Sequence, residues 1–256
     1  TRRKFNKRAA TISAVALVTP KIAFTSPTKS SVRHGIIGTG LRGLSVGRSM
    51  SENAKVNITG AADLLEDKLS NGVKEINSLN KLLGFSEIKE SNTFVGSKSY
   101  HNLIRCKDID AVIISTPAYA HPQILEDAVA AGKHVYCEKP AAIDTDGCKR
   151  ILNVSKNVNN NLSVVIGFQI RHATPYVEMV KRIHRGDIGE IVCVQLYYLS
   201  SVVPPEPIDG MSYDEARIRN HFHFNELSGG RLLDQGIHMI DVCNWALKTI
   251  PLYALG

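Results

Sequence analysis

Val32-Arg33-His34-Gly35-Ile36-Ile37-Gly38-Thr39-Gly40-Leu41-Arg42-Gly43 sets an apolar run directly against three glycines spaced two and three residues apart. Residues 32–37 read as a strand and residues 40–50 as a helix, so the glycines fall in a strand-to-helix turn, the context that gives this spacing meaning. Gly38 permits the tight turn, Gly40 lets backbone approach a pyrophosphate, and Gly43 allows close helix–strand packing. The helix N-terminus faces the phosphate charge. Thr39, Leu41 and Arg42 complete the loop. Asp63 stands 20 residues after Gly43, at the end of a second strand (residues 56–62), where a carboxylate accepts from a ribose 2′-hydroxyl. Leu64 and Leu65 follow without a nearby base for a 2′-phosphate. That favours NAD over NADP, although Arg42 is in principle within reach.

Strand and helix keep alternating outward from this turn. A helical pattern covers residues 64–83. Asp-Ala-Val-Ile-Ile-Ser at 110–115 is a short continuous apolar run, as suits a strand buried on both faces. Residues 122–131 read as a helix stopped by Gly132, and 134–137 as the next strand. The succession predicts an α/β chain with a parallel, doubly wound sheet. Beyond residue 160 the character changes. Residues 164–168 and 191–198 read as longer strands around a helix at 175–185. A Pro-rich loop (203–207) and a helix at 232–247 follow. Residues 252–255 read as the start of a fresh strand, so the chain reads as stopping short of further strands.

Three more groups carry chemistry. Ser115, Thr116 and Pro117 end a strand at the carboxyl edge of the sheet, where hydroxyls can line the middle of a dinucleotide; the same residues also simply end strands. His121 reads equally as a loop residue or a ligand contact. In His134-Val135-Tyr136-Cys137-Glu138-Lys139-Pro140, Glu138 is placed to accept from ribose hydroxyls and Lys139 to steady a forming alkoxide, while Pro140 stiffens the turn. In Leu233-Asp234-Gln235-Gly236-Ile237-His238-Met239-Ile240-Asp241, helical spacing puts Asp234, His238, Asp241 and Trp245 along one face. A carboxylate one turn from an imidazole can orient it as a general base. Asp234 as an N-cap and His238 as a core histidine are the structural alternatives.

The bulk numbers narrow the class. A length of 256 residues with 43% hydrophobic residues fits one large or two small domains. The formal charge of +7 belongs to the first 34 residues, which hold eight basic side chains and no acid and leave about −1 for the rest. A nucleic-acid partner is therefore not expected. Thr1-Arg2-Arg3-Lys4-Phe5-Asn6-Lys7, followed by an apolar run at 9–18, resembles a twin-arginine export signal, with Asn6 where leucine is more usual. The run is too short to span a bilayer, so no stable membrane insertion is expected. The site is expected to be periplasmic, or cytoplasmic if the segment is only a basic arm. Cysteines 106, 137, 148, 193 and 243 show no paired spacing. His221 and His223 stand near His238 in sequence, yet no ligand spacing supports a metal, and none is expected.

Taken in order, Gly-Thr-Gly-Leu-Arg-Gly, Ser-Thr-Pro, Ala-Gly-Lys-His-Val-Tyr-Cys-Glu-Lys-Pro and Asp-Gln-Gly-Ile-His-Met-Ile-Asp resemble the glucose–fructose oxidoreductase/inositol dehydrogenase/MocA family, from Val32 onward. The resemblance implies a Rossmann domain followed by an α/β domain with an open, mostly antiparallel sheet. The expected layout is signal and linker at 1–31, the NAD-binding domain at 32–155 and a partial substrate and oligomerisation domain at 156–256. It implies that Lys139 is the Glu-Lys-Pro lysine, His238 the acid/base histidine and Asp234 its neighbouring aspartate, with Gln169 and Arg171 on the substrate side. The expected activity is oxidation of a sugar or polyol with tightly bound nicotinamide. An NAD-dependent glycosidase and a non-catalytic dinucleotide-binding protein are the rivals. A homo-oligomer through the C-terminal sheet is expected of the full-length protein.

Overall fold

The computed structural model describes residues 32–159 and 161–255. The signal and linker expected at 1–31 lie outside the described residues. From Arg33 the chain alternates β1 (Arg33–Ile37), α1 (Leu41–Ala54), β2 (Asn57–Asp63), α2 (Glu66–Leu83), β3 (Thr93–Val95), α3 (Ser99–Arg105), β4 (Ala111–Ile114), α4 (His121–Ala130), β5 (His134–Cys137), α5 (Thr145–Asn157) and β6 (Val164–Ile166). The six strands form one sheet in the order β3-β2-β1-β4-β5-β6, every pair parallel. Parallel strands need helical crossovers, and these cover both faces.

Neighbouring residues on one strand therefore feed two different cores. Ile36 packs with Ile58, Ala61, Ile76 and Ile113 on one face, and Ile37 with Leu103, Val112, Ile114, Leu125 and Val135 on the other. All four residues of β4 are buried, as the apolar run at 110–115 predicts. Full burial of a side chain such as Ile113 stabilises the fold by about 1.5–3 kcal/mol. Strand order reverses beside β1, so the loops after β1, β4 and β5 open together at the carboxyl edge.

Three elements were not foreseen. β3 and α3 are too short for a clear period. α5 carries its signal in its cap: the Asp144 side chain accepts from the Gly147 N–H at 2.6 Å.

After β6 come a 3-10 turn (Gln169–His172), α6 (Thr174–Arg185), α7 (Tyr213–Arg219), a 3-10 turn (His221–His223), α8 (Asn225–Ser228), a π-helical turn (Leu232–Gly236) and α9 (Ile237–Leu247). The expected strand at 164–168 is shorter and belongs to the parallel sheet through its pairing with β5, so that sheet runs past the boundary expected at 155/156. Residues 191–198 and 252–255, read as strands, are irregular, and no strand follows Ile166 among the described residues. A strand needs a neighbour to satisfy its N–H and C=O groups, and no strand pairs with these segments. Val192 and Leu199 are 94% and 93% exposed. The mostly antiparallel second sheet is thus not formed among the described residues. None of the described helices is long and apolar enough to cross a membrane.

Candidate active site

The three glycines differ in what requires them. Gly38 sits at φ +90°, and a Cβ there would lie 2.6 Å from the Ser115 carbonyl oxygen. A Cβ on Gly43 would lie 2.1 Å from the Gly38 carbonyl oxygen. Both are demanded by the protein's own backbone. Gly40 is not: its φ is −71°, and a Cβ there would meet nothing within 4 Å. It opens α1, whose first turn has neither a side-chain cap nor an acidic residue. Uncapped N–H groups beside open space at a helix N-terminus fit a phosphate.

The flanking residues fit the rest of a dinucleotide. Asp63 Oδ2 accepts from the Thr39 N–H at 2.7 Å and Oδ1 from the Leu65 N–H at 3.0 Å. The Thr39 hydroxyl lies 3.0 Å from Asp63 Oδ2 and 2.9 Å from the Lys68 carbonyl oxygen. A carboxylate fixed in this way still has lone pairs for a ribose hydroxyl. The hydroxyl oxygens of Ser115 and Thr116 are buried without a hydrogen-bond partner. Leaving such a group unpaired costs about 1–3 kcal/mol, so both hydroxyls are candidate partners for a group entering along this edge. Pro117 ends the same loop. His121 offers no such edge, because it is 1% exposed. Its Nδ1 lies 2.7 Å from the Pro140 carbonyl oxygen and its Nε2 2.8 Å from that of Thr116. Burial pushes its pKa down against the pull of those two carbonyls. His121 ties the loop after β4 to the loop after β5.

Glu138 is also enclosed, at 4% exposure. Its Oε1 accepts from Arg42 at 2.8 Å and from the Tyr136 hydroxyl at 3.0 Å. Burial, then the adjacent Glu138, push the Tyr136 hydroxyl up to about 12. Burial is the largest influence and opposes the Arg42 charge, yet the hydrogen bond to Glu138 and the attraction of Glu138 and Tyr136 together outweigh it and raise its pKa. Gly167 makes room for the group, since a Cβ there would lie 2.5 Å from the Tyr136 hydroxyl oxygen. Arg42 therefore bridges the glycine loop to the Glu-Lys-Pro loop. Tyr136 was missed in the sequence, although it stands two residues before Glu138, on the same side of an extended chain.

Lys139 reaches into the segment after β6. Its ammonium donates to Asp234 Oδ1 at 3.0 Å and to the Asp234 main-chain carbonyl. Asp234 lies in the π-helical turn, a rare conformation found often at functional sites. This corrects one expectation. Asp234 is hydrogen-bonded to Lys139, not His238, because the wider π turn breaks the i, i+4 alignment and the ammonium takes the carboxylate. His238 is instead held by rings: it stacks on Tyr198 (centroids 5.8 Å, 16°) and meets Phe168 edge-on (6.3 Å, 89°). The residue is 3% exposed, and its Nδ1 is buried without a partner. Burial first, and then the Lys139 charge, lower the His238 pKa, so the ring is neutral at neutral pH. Neither Phe168 nor Tyr198 carried a signal in the sequence beyond its apolar character.

Gln169 is exposed, in the 3-10 turn beside His238's partner Phe168. Arg171 makes a bidentate pair with Asp241 (2.7 and 2.8 Å) and lies 5.4 Å over the Trp245 ring. No group of three His, Cys, Asp or Glu side chains is gathered for a metal among the described residues.

Similarity to known proteins follows the same geography. The sequence pattern of the Gfo/Idh/MocA oxidoreductases, a family with an NAD-binding Rossmann fold, matches residues 32–166, a little over half the chain. Inositol 2-dehydrogenase of Salmonella paratyphi B is 31% identical over 159 residues, 60% of this chain and 41% of the relative. Inositol 2-dehydrogenase/D-chiro-inositol 3-dehydrogenase of Lactiplantibacillus plantarum is 25% identical over 215 residues, 84% of this chain and 52% of the relative. The chain thus spans about half the length of the curated relatives it matches. Scyllo-inositol dehydrogenase from Lactobacillus casei, solved with bound NAD(H) and scyllo-inositol, superposes with a TM-score of 0.60 at 25% identity, over 85% of this chain and 56% of that one. With its glycine turn, parallel sheet and Glu-Lys-Pro loop, the chain belongs to the Gfo/Idh/MocA oxidoreductase family.

Proposed function

We propose that the protein oxidises a secondary alcohol of a cyclic polyol or sugar, inositol-like in class, with NAD as the hydride acceptor. The observation that carries this reading is the convergence of Lys139, from the sheet edge, with Asp234 and His238, from the π turn and α9. The lysine charge lowers the His238 pKa, so the two groups share one electrostatic environment. A dinucleotide bound along Gly40, Asp63, Ser115 and Thr116 would supply the acceptor for the carbinol hydrogen. The chain's residues handle the proton. Neutral His238 takes it at Nε2 as the hydroxyl ionises, and the Lys139 ammonium steadies the oxygen on which negative charge grows. Asp234 keeps the ammonium directed to this place. The relatives named above, inositol dehydrogenases among them, support the substrate class.

The test is the full chain mixed with NAD and, separately, with myo-, scyllo- and D-chiro-inositol and common aldoses. The reading expects NADH absorbance to appear with at least one polyol. Binding of NAD without turnover of any polyol or sugar would overturn it.

Retention of the nicotinamide and export are finer parts of the same proposal. They rest on Thr1-Arg2-Arg3-Lys4-Phe5-Asn6-Lys7 and on the scarcity of free NAD outside the cytoplasm. Purified protein should carry nicotinamide detectable by mass spectrometry. The N-terminal segment should export a folded reporter, and Arg2→Lys/Arg3→Lys should stop it.

A further inference from the structure

Lys68, five residues after Asp63, brings a cation to the carboxyl end of β2. Lys68 lies in the first turn of α2, and its carbonyl oxygen is 2.9 Å from the Thr39 hydroxyl, which is itself 3.0 Å from Asp63 Oδ2. The Lys68 backbone is thus one hydroxyl away from the carboxylate assigned to the ribose, and its four-carbon stem could carry the ammonium to a 2′-phosphate. That ammonium is already engaged. Lys68 Nζ is held by Glu206 Oε1 at 2.7 Å. Glu206 comes from the Pro-rich segment far along the chain, and Asn220 fixes it by accepting from the Glu206 N–H at 2.7 Å and donating to its carbonyl at 3.2 Å. Asn220 is 7% exposed, so this anchor is rigid.

A second cation nearby is treated the same way. Arg219, on α7, makes a bidentate pair with Asp67 (2.9 and 2.7 Å), the residue before Lys68. It also bonds Glu215 at 2.9 Å and lies 3.8 Å from Glu206. The hydrogen bond from Arg219 holds the Asp67 carboxyl below its usual range. Around the ribose end, the carboxylates of Asp63, Asp67, Glu206 and Glu215 outnumber the cations Lys68 and Arg219. A dianionic 2′-phosphate would enter a field of its own sign, with each nearby cation already paired.

Resting on the dinucleotide reading above, we infer that Glu206 is a specificity-determining residue: by holding Lys68, it makes the site select a dinucleotide with a free 2′-hydroxyl over one with a 2′-phosphate. Asp63 accepts the hydroxyl, and Glu206 withholds the cation that a phosphate would need.

The experiment measures NAD and NADP affinity by calorimetry on the full chain, without substrate. Glu206→Ala should strengthen NADP binding by about tenfold, the scale of one new charge-assisted phosphate contact, and leave NAD within about threefold. Glu206→Gln removes the charge but keeps an acceptor for Lys68, and so should gain less; it also keeps the question answerable if the alanine variant unfolds. Adding Lys68→Met to Glu206→Ala should erase the gain. An unchanged NADP-to-NAD ratio in both Glu206 variants overturns the inference, as does a gain that survives loss of Lys68. Wild-type protein that binds NADP as tightly as NAD also overturns it. Wild-type protein that binds neither dinucleotide instead overturns the dinucleotide reading, and the inference falls with it.

Discussion

Ala111-Val112-Ile113-Ile114 and Ile191-Val192-Cys193-Val194-Gln195-Leu196-Tyr197-Tyr198-Leu199 are both apolar runs rich in β-formers, yet they meet opposite fates. The first is the centre of the sheet, each residue 0–4% exposed. The second is irregular chain, with Val192 and Leu199 almost fully exposed. β4 has β1 on one side and β5 on the other, so its backbone groups are paired and its side chains covered. Residues 191–199 have no such neighbours. An apolar alternation states what a segment can bury; whether it does so depends on what pairs with its edges. The same contrast runs through the molecule. Among the described residues, all the buried apolar side chains except Val180, Leu227 and Val242 come before β6.

The contrast extends to chemistry, because the candidate site takes its cation from the well-packed half and its imidazole from the other. Lys139→Ala offers the largest effect: turnover should fall by about 10²–10³-fold, with NAD affinity within about threefold of wild type. Turnover close to wild type would remove Lys139 from the chemistry and leave the sheet half a binding platform only. Next comes stability. Ile113→Ala should cost about 3 kcal/mol in denaturant unfolding, whereas Leu199→Ala should stay within about 0.5 kcal/mol. Equal costs would mean that Leu199 is buried against other side chains and would break the contrast.

The glycine loop sharpens it at smaller scale. Gly43→Ala should destabilise the apo protein by about 1–3 kcal/mol, since its Cβ would meet backbone. Gly40→Ala should leave the apo melting curve within about 0.5 kcal/mol of wild type and weaken NAD by about tenfold or more. If instead Gly40→Ala weakened folding and not binding, the open space over it would not be a phosphate site. The smallest effect is a titration. His238 is depressed by burial and by Lys139, so its neutral form persists to lower pH than an ordinary imidazole. Activity that needs the neutral base is lost as pH falls through that depressed value. In Lys139→Ala, NMR titration of the ring should move upward; an unmoved His238 would show that the two halves are not electrically coupled.

The sequence showed what local pattern controls. The glycine spacing, the carboxylate after β2 and the continuous run of β4 were readable because each acts over a few residues, and the parallel sheet followed from their alternation. What escaped was set by distant chain. The π turn separates Asp234 from His238 and delivers it to Lys139, and no residue in Leu232–Gly236 announces a wider turn. Glu206 reaches Lys68 across 138 residues of chain, so nothing local to Asp63 shows that the lysine charge is already paired. The strand expected at 191–198 differs for the complementary reason: its own residues suit a strand, but no strand pairs with them among the described residues.

One contact has mechanical weight. The His121 ring lies between the Pro140 and Thr116 carbonyl oxygens, 2.7 and 2.8 Å from its two nitrogens. Burial lowers its pKa, so the neutral ring donates its one N–H to one of them and packs as a buried spacer between the cofactor edge and the lysine loop. The lysine itself is held from the other side, where Lys139 is joined to Asp234 by a carboxylate and a carbonyl of one π turn. A change of pitch in that turn would detach the lysine and displace the imidazole in one movement, so access and assembly of the acid–base pair would be set by the same few residues.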